Sequence, residues 1–156
     1  VILRARIYGI ARPQGSKRAF RWQARDGRSG VSLVESSGEN LKSWRSAVRD
    51  AARDARPPQL IEGPVQLTLV FYLKAPKSRK GMPLAPTKRP DLSKLARAIE
   101  DELTGVWFHD DSQIVQALLE KRWDLPTPQD VDLNNTATHY QPGVFIECGP
   151  YPPGVL

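Results

Sequence analysis

The chain has 156 residues, 40% hydrophobic and 26% charged, a balance that predicts one soluble globular domain with a substantial core. Its formal net charge of +6, carried mostly by arginine, favours a polyanionic partner, nucleic acid ahead of a membrane surface. One cysteine (Cys148) excludes an intrachain disulfide, two histidines beside it are too few for a structural zinc site, and no apolar run approaches the roughly 20 residues of a membrane span.

Residues 1–11 alternate, with Val1, Leu3, Ala5 and Ile7 on one face and Arg4, Arg6 and Tyr8 on the other, which predicts a half-buried strand. No signal-peptide pattern opens the chain, so a cytoplasmic protein is expected. In 12–22, Pro13 and Gly15 break the strand. Lys17, Arg18 and Arg21 then alternate with Phe20 and Trp22, a pattern that suits phosphate contact and base stacking, or equally a solvated hairpin covering the core edge. Residues 25–38 are rich in Gly and Ser and read as a mobile loop or irregular hairpin. Arg25 and Arg28 suit an arm that orders on a substrate.

From 39 to 55 the period becomes helical, with Leu41, Trp44, Val48 and Ala55 on one face and basic residues elsewhere, until Pro57-Pro58 stops the helix. Residues 65–73, VQLTLVFYL, predict a central strand covered on both sides. The connection 74–88 is rich in Pro and Lys, and is expected to be mobile and strongly positive. Asp91 follows Pro90 as a natural N-cap. Leu92, Leu95, Ala96, Ile99 and Leu103 then form the apolar face of a helix ending at Thr104-Gly105. Residues 106–108 read as extended, 113–123 as a strand, 124–143 as loop and 144–148 as a last strand. The expected fold is α/β (α+β): a single mixed sheet of about four strands with two main helices packed on it, over 1–148, with a loosely held tail at 149–156.

The chemistry concentrates in 89–111. A helix from 91 to 103 is about 18 Å long, and the eight residues after Leu103 span up to roughly 26 Å. The chain can therefore run back and bring Asp110 and Asp111 beside Asp91. Carboxylates gathered there repel one another, and a hard divalent cation relieves that repulsion. Such an ion activates water and stabilises the leaving oxygen of a phosphodiester. The plainer alternative is that Asp91 only caps the helix and Asp110-Asp111 form a solvated turn.

The run PDLSKLARAIEDELTGVWFHDDSQI, followed by Lys121 and Trp123, resembles the signature of RusA-type Holliday-junction resolvases. Pro13-Gln14-Gly15-Ser16-Lys17, Glu62-Gly63-Pro64-Val65 and Pro76-Lys77-Ser78 extend the resemblance over most of the chain up to about residue 123. It implies a homodimeric α/β endonuclease that cuts four-way DNA junctions symmetrically with Mg²⁺ or Mn²⁺, serving recombination and repair in a bacterial or phage-infected cell. By position, Asp91 and Asp111 match the family's first and last essential aspartates, and Asp110 is the neighbouring acid. Asp101 matches the acid at the helix end. Arg97 stands where a catalytic lysine is usual, and Lys121 matches the strand lysine that neutralises phosphate charge. Lys17, Arg18, Arg21, Arg25, Arg28, Lys77, Arg79, Lys80, Lys88 and Arg89 would grip the arms of the junction.

Ser93 departs from the pattern, which places a second essential aspartate there and so a further metal ligand. Three readings stay open. Another acid, Asp110 or Glu120, substitutes; the serine is a silencing change; or the protein binds branched DNA without cutting it. A more distant rival is an RNA-binding or ribosome-associated α/β domain whose acids only cap and solvate.

Overall fold

The alternation of apolar residues becomes a mixed sheet under two helices. The computed structural model describes residues 1–15, 17–23, 29–35, 38–125 and 141–154, and the side chains of all of these except 17–23 and 29–35. The elements are β1 (Leu3–Tyr8), β2 (Lys17–Gln23), β3 (Ser29–Glu35), α1 (Gly38–Asp54), β4 (Val65–Leu73), α2 (Leu92–Leu103), β5 (Ile114–Trp123) and β6 (Gly143–Pro150). Strands run in the order β1-β6-β4-β5, while β2 and β3 pair separately as an antiparallel hairpin. β4 pairs with β5 in parallel and with β6 antiparallel, so the expected central strand is an interior one.

The α2 crossover is what makes the β4–β5 pair parallel. Val65, Leu67, Leu69 and Phe71 of β4 meet Val144, Ile146 and Cys148 of β6 and Leu3 and Ile7 of β1 on one face. Trp44, Val48 and Ala52 of α1 and Leu95, Ile99 and Leu103 of α2 complete this core. Leu95, Ile99 and Leu103 are fully buried, and each contributes roughly 1.5–3 kcal/mol through the apolar area it removes from water. Burial pushes the Cys148 thiol up to about 12, so it stays an uncharged core side chain. On the opposite face Arg6 stacks its guanidinium over the rings of Tyr8 and Tyr72, which gives the buried Tyr72 a cation–π partner. Among the described residues no helix is long and apolar enough to cross a membrane.

Three expectations differ from the structure, and of the readings left open for 12–22 and 25–38 it takes the hairpin. The 12–22 and 25–38 segments contribute the β2–β3 hairpin, whose register runs from Lys17 opposite Glu35 to Gln23 opposite Ser29. Residues 106–108 form a turn rather than an extended segment. The amides of Val106 and Trp107 both donate to the Leu103 carbonyl, and Gly105 takes φ 74°, a left-handed conformation that glycine adopts at little cost. Residues 74–90 fold into a defined loop: Pro86 is buried, Trp123 Nε1 donates to the Pro83 carbonyl at 2.9 Å, and the Ala75 amide donates to Asp124 at 2.7 Å. The start of the tail belongs to the sheet, since β6 reaches Pro150 and the Tyr151 amide donates to the Pro64 carbonyl at 2.8 Å.

Candidate active site

Asp91 occupies the N-cap position of α2 with extended backbone (φ −70°, ψ 132°), and its carbonyl accepts the first helical bond, from Leu95. Its side chain makes no capping hydrogen bond. An N-cap aspartate ordinarily spends its carboxylate on the N2 or N3 amide. Here the carboxylate is half-exposed, with the Lys94 ammonium 4.0 Å away. Lys121, one strand across, donates from Nζ to the carbonyls of Lys88 and Pro90, both at 3.1 Å. It therefore holds the chain entering α2, and through it the position of Asp91.

The Asp110-Asp111 pair divides its work. Asp110 caps a short 3-10 turn (Asp111–Gln113), accepting from the Ser112 amide at 2.9 Å. Hydrogen bonds from the Ser112 side chain and backbone hold its carboxyl below the usual carboxylate range. Gln113 completes the capping box and does more. Its Oε1 accepts from the amides of His109 (2.7 Å) and Asp110 (3.0 Å), while Nε2 donates to the carbonyls of Ile61 (3.0 Å) and Gly63 (2.9 Å). One amide side chain thus staples the acidic turn to the segment that enters β4. Asp111 is exposed beside it.

Asp91 and Asp111 do not meet within one chain. The turn carrying Asp111 leads straight into Ile114, which pairs with Val65 at the start of β4. Lys121, which touches Pro90, lies seven residues further along β5, roughly 23 Å at strand rise. The ten residues after Leu103 are used up by the turn and the staple, and none of them returns toward the start of α2.

Asp111 acts instead on a residue the sequence reading did not single out. Glu100 is half-buried on α2, and burial, then the charges of Asp111 and Asp101, raise its carboxyl above the ordinary range, with Arg97 opposing them. Ser93, Arg97 and Glu100 stand at i, i+4 and i+7, so they share one stripe of α2. With Gln14, Gly15 and Leu119 they line a groove of about 560 Å³ between α2 and β5. The Gln14 amide donates to the Lys94 carbonyl at 3.0 Å, which docks the Pro13–Gly15 loop on the helix. Gln14 lines that groove, and its Oε1 is buried without a hydrogen-bond partner among the described residues. The helical spacing was the available signal for Glu100, but an acidic residue at that spacing is ordinarily just solvated.

Other residues fall elsewhere. Glu120 points to the sheet face away from α2 and pairs with Arg122 at 2.7 and 2.9 Å, so alternation along β5 removes it as a replacement for an acid at 93. Asp101 faces Arg45 across the helix pair at 3.8 Å. Ser93 is exposed one turn into the groove. Lys77, Arg79, Lys80, Lys88 and Arg89 are exposed on the 74–90 loop. The side chains of Lys17, Arg18 and Arg21, and the whole of Arg25 and Arg28, lie outside the described residues. No group of three or more His, Cys, Asp or Glu suited to a metal ion occurs among the described residues. A hard divalent ion needs only one or two carboxylates besides water and phosphate oxygens. The half-buried Glu100 carboxyl, which the charge of Asp111 raises, and the Gln14 side-chain oxygen, without a partner among the described residues, are oxygen donors of the kind such an ion takes.

A sequence profile described as Endodeoxyribonuclease RusA matches residues 12–130. A curated relative, the uncharacterized protein YqaN of Bacillus subtilis (strain 168), is 31% identical over 91 residues, which cover 51% of this chain and 63% of the relative.

Proposed function

This chain belongs to the RusA endodeoxyribonuclease family, and we propose that it is a divalent-metal-dependent nuclease that resolves four-way DNA junctions by paired phosphodiester hydrolysis. The observation that carries the reading is the Asp91 carboxylate, which stands at a helix N-cap yet is not spent on the cap. Asp91, Asp111 and Glu100 are the residues that would hold Mg²⁺ or Mn²⁺, with Ser93 contributing at most a hydroxyl and Asp110 acting through the turn it caps. When bound, the ion would supply an activated water and stabilise the leaving oxygen. Arg97 faces the groove as a fixed cation for phosphate oxygens, and Lys121 keeps the loop before Asp91 in place. Asp91 caps the start of α2 while Asp111 lies in the turn that enters β5, so the two carboxylates would serve one ion only if two chains met. A two-fold homodimer, which the two equivalent strands of a junction favour, supplies that meeting. The basic 74–90 loop then lies beside Asp91 to receive a DNA arm.

Labelled four-way junctions incubated with Mg²⁺ test this directly. The Ser93→Asp variant restores a carboxylate two residues from Asp91, in the first turn of α2 where the helix dipole favours it by about 0.3–1 kcal/mol. It is expected to cut at least about 10-fold faster at limiting Mg²⁺, as one more carboxylate raises metal affinity. If neither the natural chain nor Ser93→Asp nicks junctions at any metal concentration, the protein is a branched-DNA-binding module without chemistry.

Glu100→Gln separates metal binding from folding. The folded Glu100 carboxyl has a raised pKa, so its charge opposes folding above that pKa, and the opposition fades as pH falls through it. The glutamine variant is expected to unfold at a higher temperature than the natural chain at pH 7 without metal, and to need several-fold more Mg²⁺ for half-maximal cleavage. Thermal melts and a metal titration read the two effects, and an unchanged Mg²⁺ requirement removes Glu100 from the metal site.

A further inference from the structure

The seam between α1 and α2 carries cations that the acidic groove does not use. With 3.6 residues per turn, Lys42, Arg45, Arg49 and Arg53 of α1 fall within roughly 80° of the helix circumference, and Arg56 follows just past the helix end. Asp50 and Asp54 fall on the other flank. Two clefts follow this stripe and share Arg49. One, of about 340 Å³, is lined by Lys42, Arg45, Arg49 and Glu102. The next, of about 690 Å³, is lined by Arg49, Arg53, Arg56 and the turn after α2 at Thr104 and Gly105. Through Arg49 they adjoin as one trough, about 12 Å from Arg45 to Arg53 at helical rise, with Arg56 just beyond the helix end.

Its floor is built to hold the cations outward. Glu102, buried at 4% exposure, accepts from Nε of both Arg45 and Arg49. Taking the Nε edge leaves the outer guanidinium edge of Arg49 turned to solvent, where its side chain is 42% exposed. Arg53 and Arg56 are exposed and form no ion pair among the described residues. Planar guanidinium forks suit phosphate oxygens better than the point charge of lysine, and this seam presents four of them with one buried acid to fix the first two.

We propose that this trough holds the phosphodiester backbone of a duplex DNA arm, over on the order of four base pairs at 3.4 Å per step. The inference rests on the DNA-acting reading above and adds to it a second contact surface, on the flank of α2 opposite the Ser93–Glu100 stripe. A duplex crossing the C-terminal end of α2 touches Arg53 and Arg56 on one side and comes to the Asp111 turn on the other.

Binding of long-armed and short-armed junctions over a range of salt concentrations, in Ca²⁺ to prevent cleavage, tests it. Each lost phosphate contact lowers the salt slope by about 0.9. Arg53→Ala/Arg56→Ala is expected to reduce the slope by about two and the affinity for long-armed junctions roughly 50-fold at ~0.1 M salt. Arg53→Lys/Arg56→Lys is expected to keep the slope, which separates charge from any change in folding. An alanine variant that folds, as judged by circular dichroism, and keeps the natural slope and affinity assigns the trough to another occupant and overturns the proposal alone. A natural chain that binds no DNA overturns the DNA reading along with it.

Discussion

Asp111→Asn is expected to slow junction cleavage on the order of 10³-fold, about 4 kcal/mol of transition-state stabilisation, while junction binding in Ca²⁺ is retained. The two halves of this expectation come from one turn. Asp110 holds the cap and Gln113 holds the staple, so the turn keeps its shape when the exposed residue between them changes. An exposed Asp→Asn substitution outside these bonds costs within about 0.5 kcal/mol of stability. The charge at 111 is another matter, because it already acts on Glu100, which lines the groove. Asp110→Asn is the matched control. Asparagine caps a helix about as well as aspartate, so that variant is expected to retain cleavage within about 10-fold. Cleavage rates for the pair, measured on the same junction at saturating metal, decide whether the two acids differ. Equal losses at 110 and 111 would mean that the adjacent carboxylates act together and that the turn is not their divider.

Most of the fold was legible because it rests on periods. VQLTLVFYL alternates with an apolar second face, and the structure makes it the interior strand β4. The α2 stripe of Leu92, Leu95, Ala96, Ile99 and Leu103 packs inward as its spacing requires. The β2–β3 hairpin was harder to read, since glycine, serine and arginine suit a loop and a solvated strand equally well, and pairing is a long-range choice that composition does not encode. The same limit applies to the site. Sequence spacing permitted Asp91 and Asp111 to converge, because chain length sets only the reach of a loop. What decides is where the loop is tied. Gln113, through its two bonds to Ile61 and Gly63, ties it at the β4 start, far from Asp91. Glu102 shows the converse. Its sequence position inside an acidic run suggests a solvated face, yet two arginines from another helix make it the most buried acid described.

Trp107→Ala is expected to destabilise the fold by about 4–5 kcal/mol, near the upper end for a buried aromatic truncation. Trp107 is fully buried and has the largest side chain in the core. It also does a polar task. The last carbonyls of a helix lack intrahelical partners, and at the end of α1 the Ala55 amide takes the Ala51 carbonyl while the Arg56 amide turns back to Arg53. The Ala52 carbonyl between them is taken by Trp107 Nε1 at 2.8 Å. Truncation therefore opens a cavity and strands a buried acceptor in one step. Trp107→Phe fills most of the cavity and loses only the hydrogen bond, so it is expected to cost about 1–2 kcal/mol. Urea unfolding of the three proteins separates the terms, and an alanine variant losing under about 2 kcal/mol would show that the core collapses around the site. A domain stable by about 5–15 kcal/mol survives the phenylalanine and is brought near its limit by the alanine. The consequence reaches function, because Trp107 joins the end of α1, where Arg53 and Arg56 stand, to the turn from which the chain enters the Asp111 site. Losing it is expected to loosen the arginine trough and the acidic groove together.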